Sequence, residues 1–272
     1  MHRRAPVTVI IPAYNEEVNI AFALEGVRGW ADQIIVVDSF SVDRTVEIAR
    51  AYGAEIFTHA YENMAAQRQW AMGLPSIRNE WVFNLDADEY PTAEIKGEIE
   101  EALKNVDDDC AGFLMRRRHI FMGRFMRHGG DYIWLLRLVR RKRCRVIKTA
   151  IANEHTIVSG GVKRLKNDFV HEPRKSFAEW MKRVNSGAQK FALGMHNVKN
   201  GTTHPALSDG EAIEGRVRTS LNYYFYARCP LFLRPFIRFF VFYVLRGGFL
   251  DGREGFIYHI VNDFLYPFLV WA

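Results

Sequence analysis

Glu80-Trp81-Val82-Phe83-Asn84-Leu85-Asp86-Ala87-Asp88 is an apolar, β-prone run that stops at two carboxylates. A short run of this kind reads as a buried strand with a polar carboxyl end. Upstream, Val7-Thr8-Val9-Ile10-Ile11 and Gln33-Ile34-Ile35-Val36-Val37 have the same character. They stop in the same way, at Pro12-Ala13-Tyr14-Asn15-Glu16 and at Asp38-Ser39. Between these runs, Glu16 to Val27 places Val18, Ile20, Phe22, Leu24 and Val27 at helical spacing. Arg44 to Tyr52 reads as a helix capped by Asp43 and ended by Gly53, Glu55 to Thr58 as a short strand, and Ala65 to Met72 as a helix. Strands alternating with helices imply an α/β architecture, a parallel sheet covered on both faces. Ligands of such sheets bind beyond the carboxyl ends of the strands. The three polar clusters are therefore expected on one rim.

Farther along, Thr92 to Lys104 reads as a surface helix. Residues 111 to about 170 alternate short β-like runs with Arg-rich and Gly-containing turns, which predicts an antiparallel extension of the sheet. Ser176 can cap a helix from Phe177 to about Phe191, and Asn200 to Asp209 reads as loop. From Cys229 onward the chain is aromatic and basic.

A chain of 272 residues with 25% charged and 49% hydrophobic residues can bury a core without disulfides, and is not disordered. Its 37 Lys and Arg against 31 Asp and Glu give +6, which suits anionic small molecules, anionic lipid or nucleic acid alike. Cys110, Cys144 and Cys229 form no CxxC pair, so a zinc site is not expected and a reducing compartment fits. The apolar run after Met1-His2-Arg3-Arg4 is too short for a secretory signal. No stretch reaches the roughly 18 apolar residues of a spanning helix.

Asp86 and Asp88 stand two apart, and extended geometry would turn both carboxylates to the same side. Such a pair suits Mg²⁺ or Mn²⁺ carrying a ligand's phosphates; the plainer alternative is a solvated acidic turn.

Val9-Ile10-Ile11-Pro12-Ala13-Tyr14-Asn15-Glu16-Glu17, Ile34-Ile35-Val36-Val37-Asp38-Ser39 and Leu85-Asp86-Ala87-Asp88-Glu89, in that order, resemble glycosyltransferase family 2. The resemblance implies the GT-A fold, a Rossmann-like, mostly parallel sheet flanked by helices, and inversion at the anomeric centre. Met122-Gly123-Arg124, Arg127-His128-Gly129-Gly130, Arg137-Leu138-Val139-Arg140 and Gly248-Phe249-Leu250-Asp251-Gly252 resemble the bacterial lipopolysaccharide-core β-glucosyltransferases. The implied organisation is a catalytic domain over 1–175, with a nucleotide-binding half (1–90) and an acceptor-side half (91–175). A helical C-terminal region follows over 176–272. The resemblance implies that Pro12, Tyr14 and Glu16 line the nucleotide pocket and that Asp38 contacts uracil or ribose. It implies that Arg68 sits by the nucleotide or its diphosphate, and that Asp86 and Asp88 hold the metal and ribose. Gln69 stands where the family often has Asn.

Transfer from a nucleotide sugar needs stabilisation of the departing diphosphate and a base for the acceptor hydroxyl. Glu154, in Ala152-Asn153-Glu154-His155, is the expected base, with Asn153 where the subgroup usually has His; Asp131 is the weaker candidate. His171 is a candidate for the metal shell or a diphosphate contact, against a structural role. Arg116-Arg117-Arg118-His119, Arg124 and Arg127 suit a phosphorylated or acidic saccharide, or simply protect a sheet edge.

In the tail, Arg234, Arg238 and Arg246 fall on one helical stripe beside apolar residues from Leu231 to Leu245. This predicts a helix on an anionic membrane surface; buried packing or a homodimer contact is the alternative. The combined expectation is an enzyme on the cytoplasmic face of the inner membrane, using a UDP-linked donor and a glycolipid acceptor. Polyprenyl-phosphate glycosyl transfer, which needs little base catalysis, is the first alternative. Nucleotidyl transfer, which releases pyrophosphate, is the second. A non-catalytic basic module is the third, although the chain carries no nucleic-acid recognition motif.

Overall fold

The computed structural model describes residues 4–147, 154–199, 211–213 and 230–271. Asn153, Asn200 to Asp209 and Cys229 lie outside the described residues.

The first four apolar runs form β1 (Ala5–Ala13), β2 (Ala31–Asp38), β3 (Glu55–Thr58) and β4 (Trp81–Asn84). They lie in the order β3-β2-β1-β4, all parallel. The helices between them are α1 (Ile20–Val27), α2 (Thr45–Ala51) and α3 (Met64–Met72). Helix α2 starts one residue later than expected, with Arg44 rather than Asp43 at the N-cap; Asp43 Oδ1 still accepts from the Thr45 amide at 3.0 Å. Alternation along β1 sends Val7, Val9 and Ile11 to one core with Leu24 and Val27 of α1, and Ile10 to the other with Ala71 and Met72 of α3. Two polar residues inside this sheet are matched, whereas the side chain of buried Asn84 in β4 has no hydrogen-bond partner among the described residues. Thr8 Oγ1 donates to Gln33 Oε1 at 2.8 Å, and Gln33 Nε2 donates to the Ser76 carbonyl at 2.8 Å.

Beyond β4 come β5 (Glu89–Pro91), α4 (Ala93–Lys104), β6 (Cys110–Phe121), β7 (Arg124–Phe125), β8 (Trp134–Arg140), β9 (Cys144–Ile147), β10 (His155–Ser159) and β11 (Gly161–His171). The sheet continues β4-β8-β6-β11-β5. As expected, β8 is antiparallel to both β4 and β6, and β5 to β11. Within this extension β11 instead runs parallel to β6, because the chain leaves the sheet to build β9 and β10 and re-enters from the other end. Ile95 and Ile99 of α4 cover the α1 face of the sheet, and Val146 of β9 and Val158 of β10 close the α3 face.

Helix α5 (Phe177–Lys199) runs past the predicted end near Phe191, and β12 (Glu211–Ile213) pairs with β10. Two helical segments, 234–245 and 252–271, then pack antiparallel. Phe236 meets Phe268, whereas Tyr243 meets Phe256. Trp180, Phe121 and Tyr258 join this pair to α5 and β6. Of the expected basic stripe, only Arg246 is turned outward. Arg234 is buried, and Arg238 Nε donates to Asp263 Oδ1 at 2.7 Å. Asp263 lies on the returning helix, and this counter-charge draws the arginine inward and leaves aromatic residues outside. Among the described residues, no helix is long and apolar enough to cross a membrane.

Candidate active site

The carboxyl ends of β2, β1 and β4 form one rim. Ser39 N donates to the Ala13 carbonyl at 2.9 Å, and Leu85 N to the Ile10 carbonyl at 3.0 Å. Pro12 is buried inside β1 opposite Val37, just before the rim, and Tyr14 projects into solvent. Asn15 adopts a left-handed backbone (φ 52°), which lets its amide donate to Ser41 Oγ at 2.9 Å and its Oδ1 accept from Val42 N at 2.9 Å. These bonds lace together the loops after β1 and β2. Asp38 is buried; its Oδ2 accepts from Ser41 N at 3.0 Å, and its Oδ1 has no hydrogen-bond partner among the described residues. Glu16 pairs with Lys175 Nζ at 2.6 Å. Burial pushes its carboxyl above the ordinary range against the pull of Lys175 and Asn19, and Asp88 adds repulsion.

Helix α3 ties the rim together. Asn63 caps it by accepting from Ala66 N at 3.0 Å. Gln67 Nε2 donates to Ser39 Oγ at 3.0 Å, beside Asp38. The next residue, Arg68, is 1% exposed, so it is no solvated helix charge. Its Nη2 meets Asp86 Oδ1 at 2.5 Å, and its Nε lies 2.9 Å from Glu154 Oε2. Gln69 Oε1 accepts from Val146 N at 2.7 Å and so anchors β9.

Asp86 and Asp88 do not lie on an extended segment. The chain turns, with Glu89 N donating to the Asp86 carbonyl at 3.0 Å, and the two carboxylates part. Both Asp86 oxygens go to arginine, Oδ1 to Arg68 and Oδ2 to Arg137 at 3.0 Å. Burial opposes ionisation of Asp86, but Arg137 and Arg68 outweigh it and hold the carboxyl well below the usual range. Asp88 Oδ2 faces His171 Nε2 at 3.4 Å and Arg183 Nη1 at 3.7 Å. Burial again opposes ionisation, and the imidazole outweighs it. Glu89 is fully buried on Arg137 at 2.7 Å, and desolvation pushes its carboxyl up.

Arg68, Asp86, Asp88, Glu154 and His171 thus belong to one linked cluster. The sequence reading missed Arg137, Glu89, Arg183 and Lys175. Arg137 lay within a quoted motif but without a role, and Glu89 directly follows the acidic pair. Asp131 lies behind the cluster with both oxygens engaged, Oδ2 by His119 Nδ1 at 2.5 Å and Oδ1 by Arg117 at 3.5 Å, which leaves it poorly placed as a base. The arginine run is also occupied. Arg116 stacks on Tyr132 and Trp134, and Arg118 pairs with Asp168 at 3.2 Å.

The family model for Glycosyl transferase family 2 matches residues 8–164, more than half of the chain. The chain belongs to glycosyltransferase family 2. An uncharacterised glycosyltransferase of Rickettsia typhi is 35% identical over 103 residues, 38% of this chain. That match spans only 35% of the Rickettsia protein, about a third of its length. The lipopolysaccharide core biosynthesis glycosyltransferase LpsC of Rhizobium meliloti is 26% identical over 165 residues, covering 58% of this chain and 60% of its own. Among solved structures, the Pyrobaculum calidifontis mannosyltransferase PcManGT, in complex with GDP-Man and Mn²⁺, aligns with a TM-score of 0.47 at 16% identity, over 75% of this chain and 67% of its own. Staphylococcus aureus TarS, in complex with UDP-GlcNAc, aligns with a TM-score of 0.47 at 14% identity, over 97% and 90%. The family 2 match ends before His171 and α5, so two partners of Asp88, His171 and Arg183, come from outside it.

Proposed function

We propose that the chain is an inverting hexosyltransferase, moving a sugar from a UDP-linked donor to a saccharide acceptor of a cell-envelope glycolipid such as lipopolysaccharide core. One observation carries this reading: a single buried side chain, Arg68, holds both Asp86 of the acidic turn and the candidate base Glu154 at the strand rim. The distant likeness to LpsC supports the acceptor class.

The residues fit a divalent cation. Asp88 Oδ2 and His171 Nε2, 3.4 Å apart, are close enough to share one ion, and an oxygen–nitrogen pair suits Mn²⁺ better than the oxygen-demanding Mg²⁺. No ready-made group of three His, Cys, Asp or Glu donors exists among the described residues, so phosphate oxygens and water would complete the shell. Bound there, the cation would neutralise charge on the departing diphosphate. Arg183 adds a fixed positive charge on the same side. Asp38 and the loops after β1 and β2 hold the nucleoside. Arg68 orients Glu154, which takes the proton of the acceptor hydroxyl as it attacks the face opposite the leaving group. Arg137 and Glu89 keep the acidic turn rigid.

The test is a panel of nucleotide sugars with Mn²⁺, with release of nucleoside diphosphate as the readout. UDP release that depends on a saccharide acceptor supports the reading; pyrophosphate release from a nucleoside triphosphate and a sugar phosphate would replace it. Glu154→Gln is expected to lower kcat about 10²-fold or more while donor KM changes little. Near-normal turnover of this variant would point to an already ionised acceptor such as polyprenyl phosphate.

A further inference from the structure

The outer side of the C-terminal helical pair is a continuous aromatic layer. Phe236 meets Phe264 at 5.0 Å, Phe264 meets Phe239 at 6.1 Å, and Tyr243 links Phe256 to Phe249 at 5.6 and 6.4 Å. Its outward members stay about half exposed: Phe236 54%, Phe240 52%, Phe249 50% and Leu250 54%. An exposed apolar surface of this extent marks a partner. Beneath it, Asp263 binds Arg238 Nε at 2.7 Å and His259 Nδ1 at 2.6 Å, so the layer has a rigid backing.

One end of the layer has a basic rim. Arg246 and Arg253 are exposed, and Arg124 Nη2 donates to the Leu250 carbonyl at 3.2 Å. Three motifs that the proposed reaction does not use meet here. Besides the Arg124 contact, Gly129 N donates to the Arg246 carbonyl at 3.1 Å, and His128 Nδ1 lies 2.6 Å from Asp251 Oδ1. Together they fix the Phe249-Leu250 tip against the β6–β8 connection.

We propose that this face lies on an anionic lipid bilayer, with Phe249 and Leu250 entering the acyl boundary and Arg124, Arg246 and Arg253 meeting lipid phosphates. Aromatic side chains bordered by arginines match the apolar-to-anionic gradient of such a surface. The surface keeps only Arg246 of the basic stripe expected from sequence, whose Arg234 and Arg238 are turned inward. It does not depend on the proposed reaction.

The test is flotation of the full chain with vesicles of phosphatidylcholine alone or mixed with phosphatidylglycerol. Wild type is expected to float with the anionic vesicles and weakly with the neutral ones. The exposed double variant Phe249→Ser/Leu250→Ser is expected to lose about tenfold or more in binding. Arg253→Glu is expected to weaken anionic binding while keeping an unchanged melting temperature. Absence of wild-type flotation, equal flotation with neutral vesicles, or unchanged flotation of the double variant would each overturn the proposal. A dimer seen by light scattering and abolished by the double variant would assign the face to a second copy and overturn it as well. UDP release measured without vesicles reports separately on the reaction, so either reading can fail alone.

Discussion

Arg68 compensates two carboxylates from a position with almost no access to water. A buried charge stays stable only while its partners remain, and deleting one partner typically costs about 3–5 kcal/mol. Arg68→Ala is therefore expected to lower unfolding stability by about that amount in a denaturant titration, with Asp86 and Glu154 left facing each other. Asp88 behaves differently, because Arg183 and His171 beside it are partly exposed. Asp88→Ala is expected to leave the fold intact while metal-supported turnover drops about 10²-fold or more; full turnover would remove Asp88 from the reaction. The candidate residues themselves were legible, since Asp38, Asp86 and Asp88 each end an apolar run. Their partners were not. Arg137 reaches Asp86 from 51 positions away, through a pairing of β8 with β4 that no local pattern encodes.

At the scale of elements, period-two and helical patterns gave the strands and helices of the first hundred residues, because each of those elements buries one defined face. They could not give direction inside the extension, where β11 runs parallel to β6. They also misjudged two of the three tail arginines, Arg234 and Arg238. A stripe of arginines looks solvent-facing until an aspartate on another helix, 25 residues on, supplies a counter-charge. The connection between β6 and β8 depends on Gly129, whose φ of +69° brings it against His259. A Cβ there would stand 2.1 Å from the imidazole, which is buried and tied to Asp263 and cannot yield. Gly129→Ala is expected to destabilise the chain by about 3 kcal/mol or more, from backbone strain plus overpacking, and the melting temperature should fall accordingly.

For the whole molecule, donor binding and stability are linked. A ligand held only by the folded state adds about 2.7 kcal/mol at a hundred times its Kd. UDP with Mn²⁺ is expected to raise the melting temperature, and chelation by EDTA to cancel most of the rise; an equal rise in EDTA would take the cation out of the nucleotide site. The structure also bears on synthesis. Asp86 and Glu89 are made early, but Arg137, their shared counter-ion, sits on β8. While the ribosome has released only the first half of the sheet, those acids have no matching cation from β8 and the rim is unfinished. A nascent chain is therefore expected to lack the proposed activity at least until the eighth strand has slotted in beside the fourth and Glu154, His171 and Arg183 have followed it.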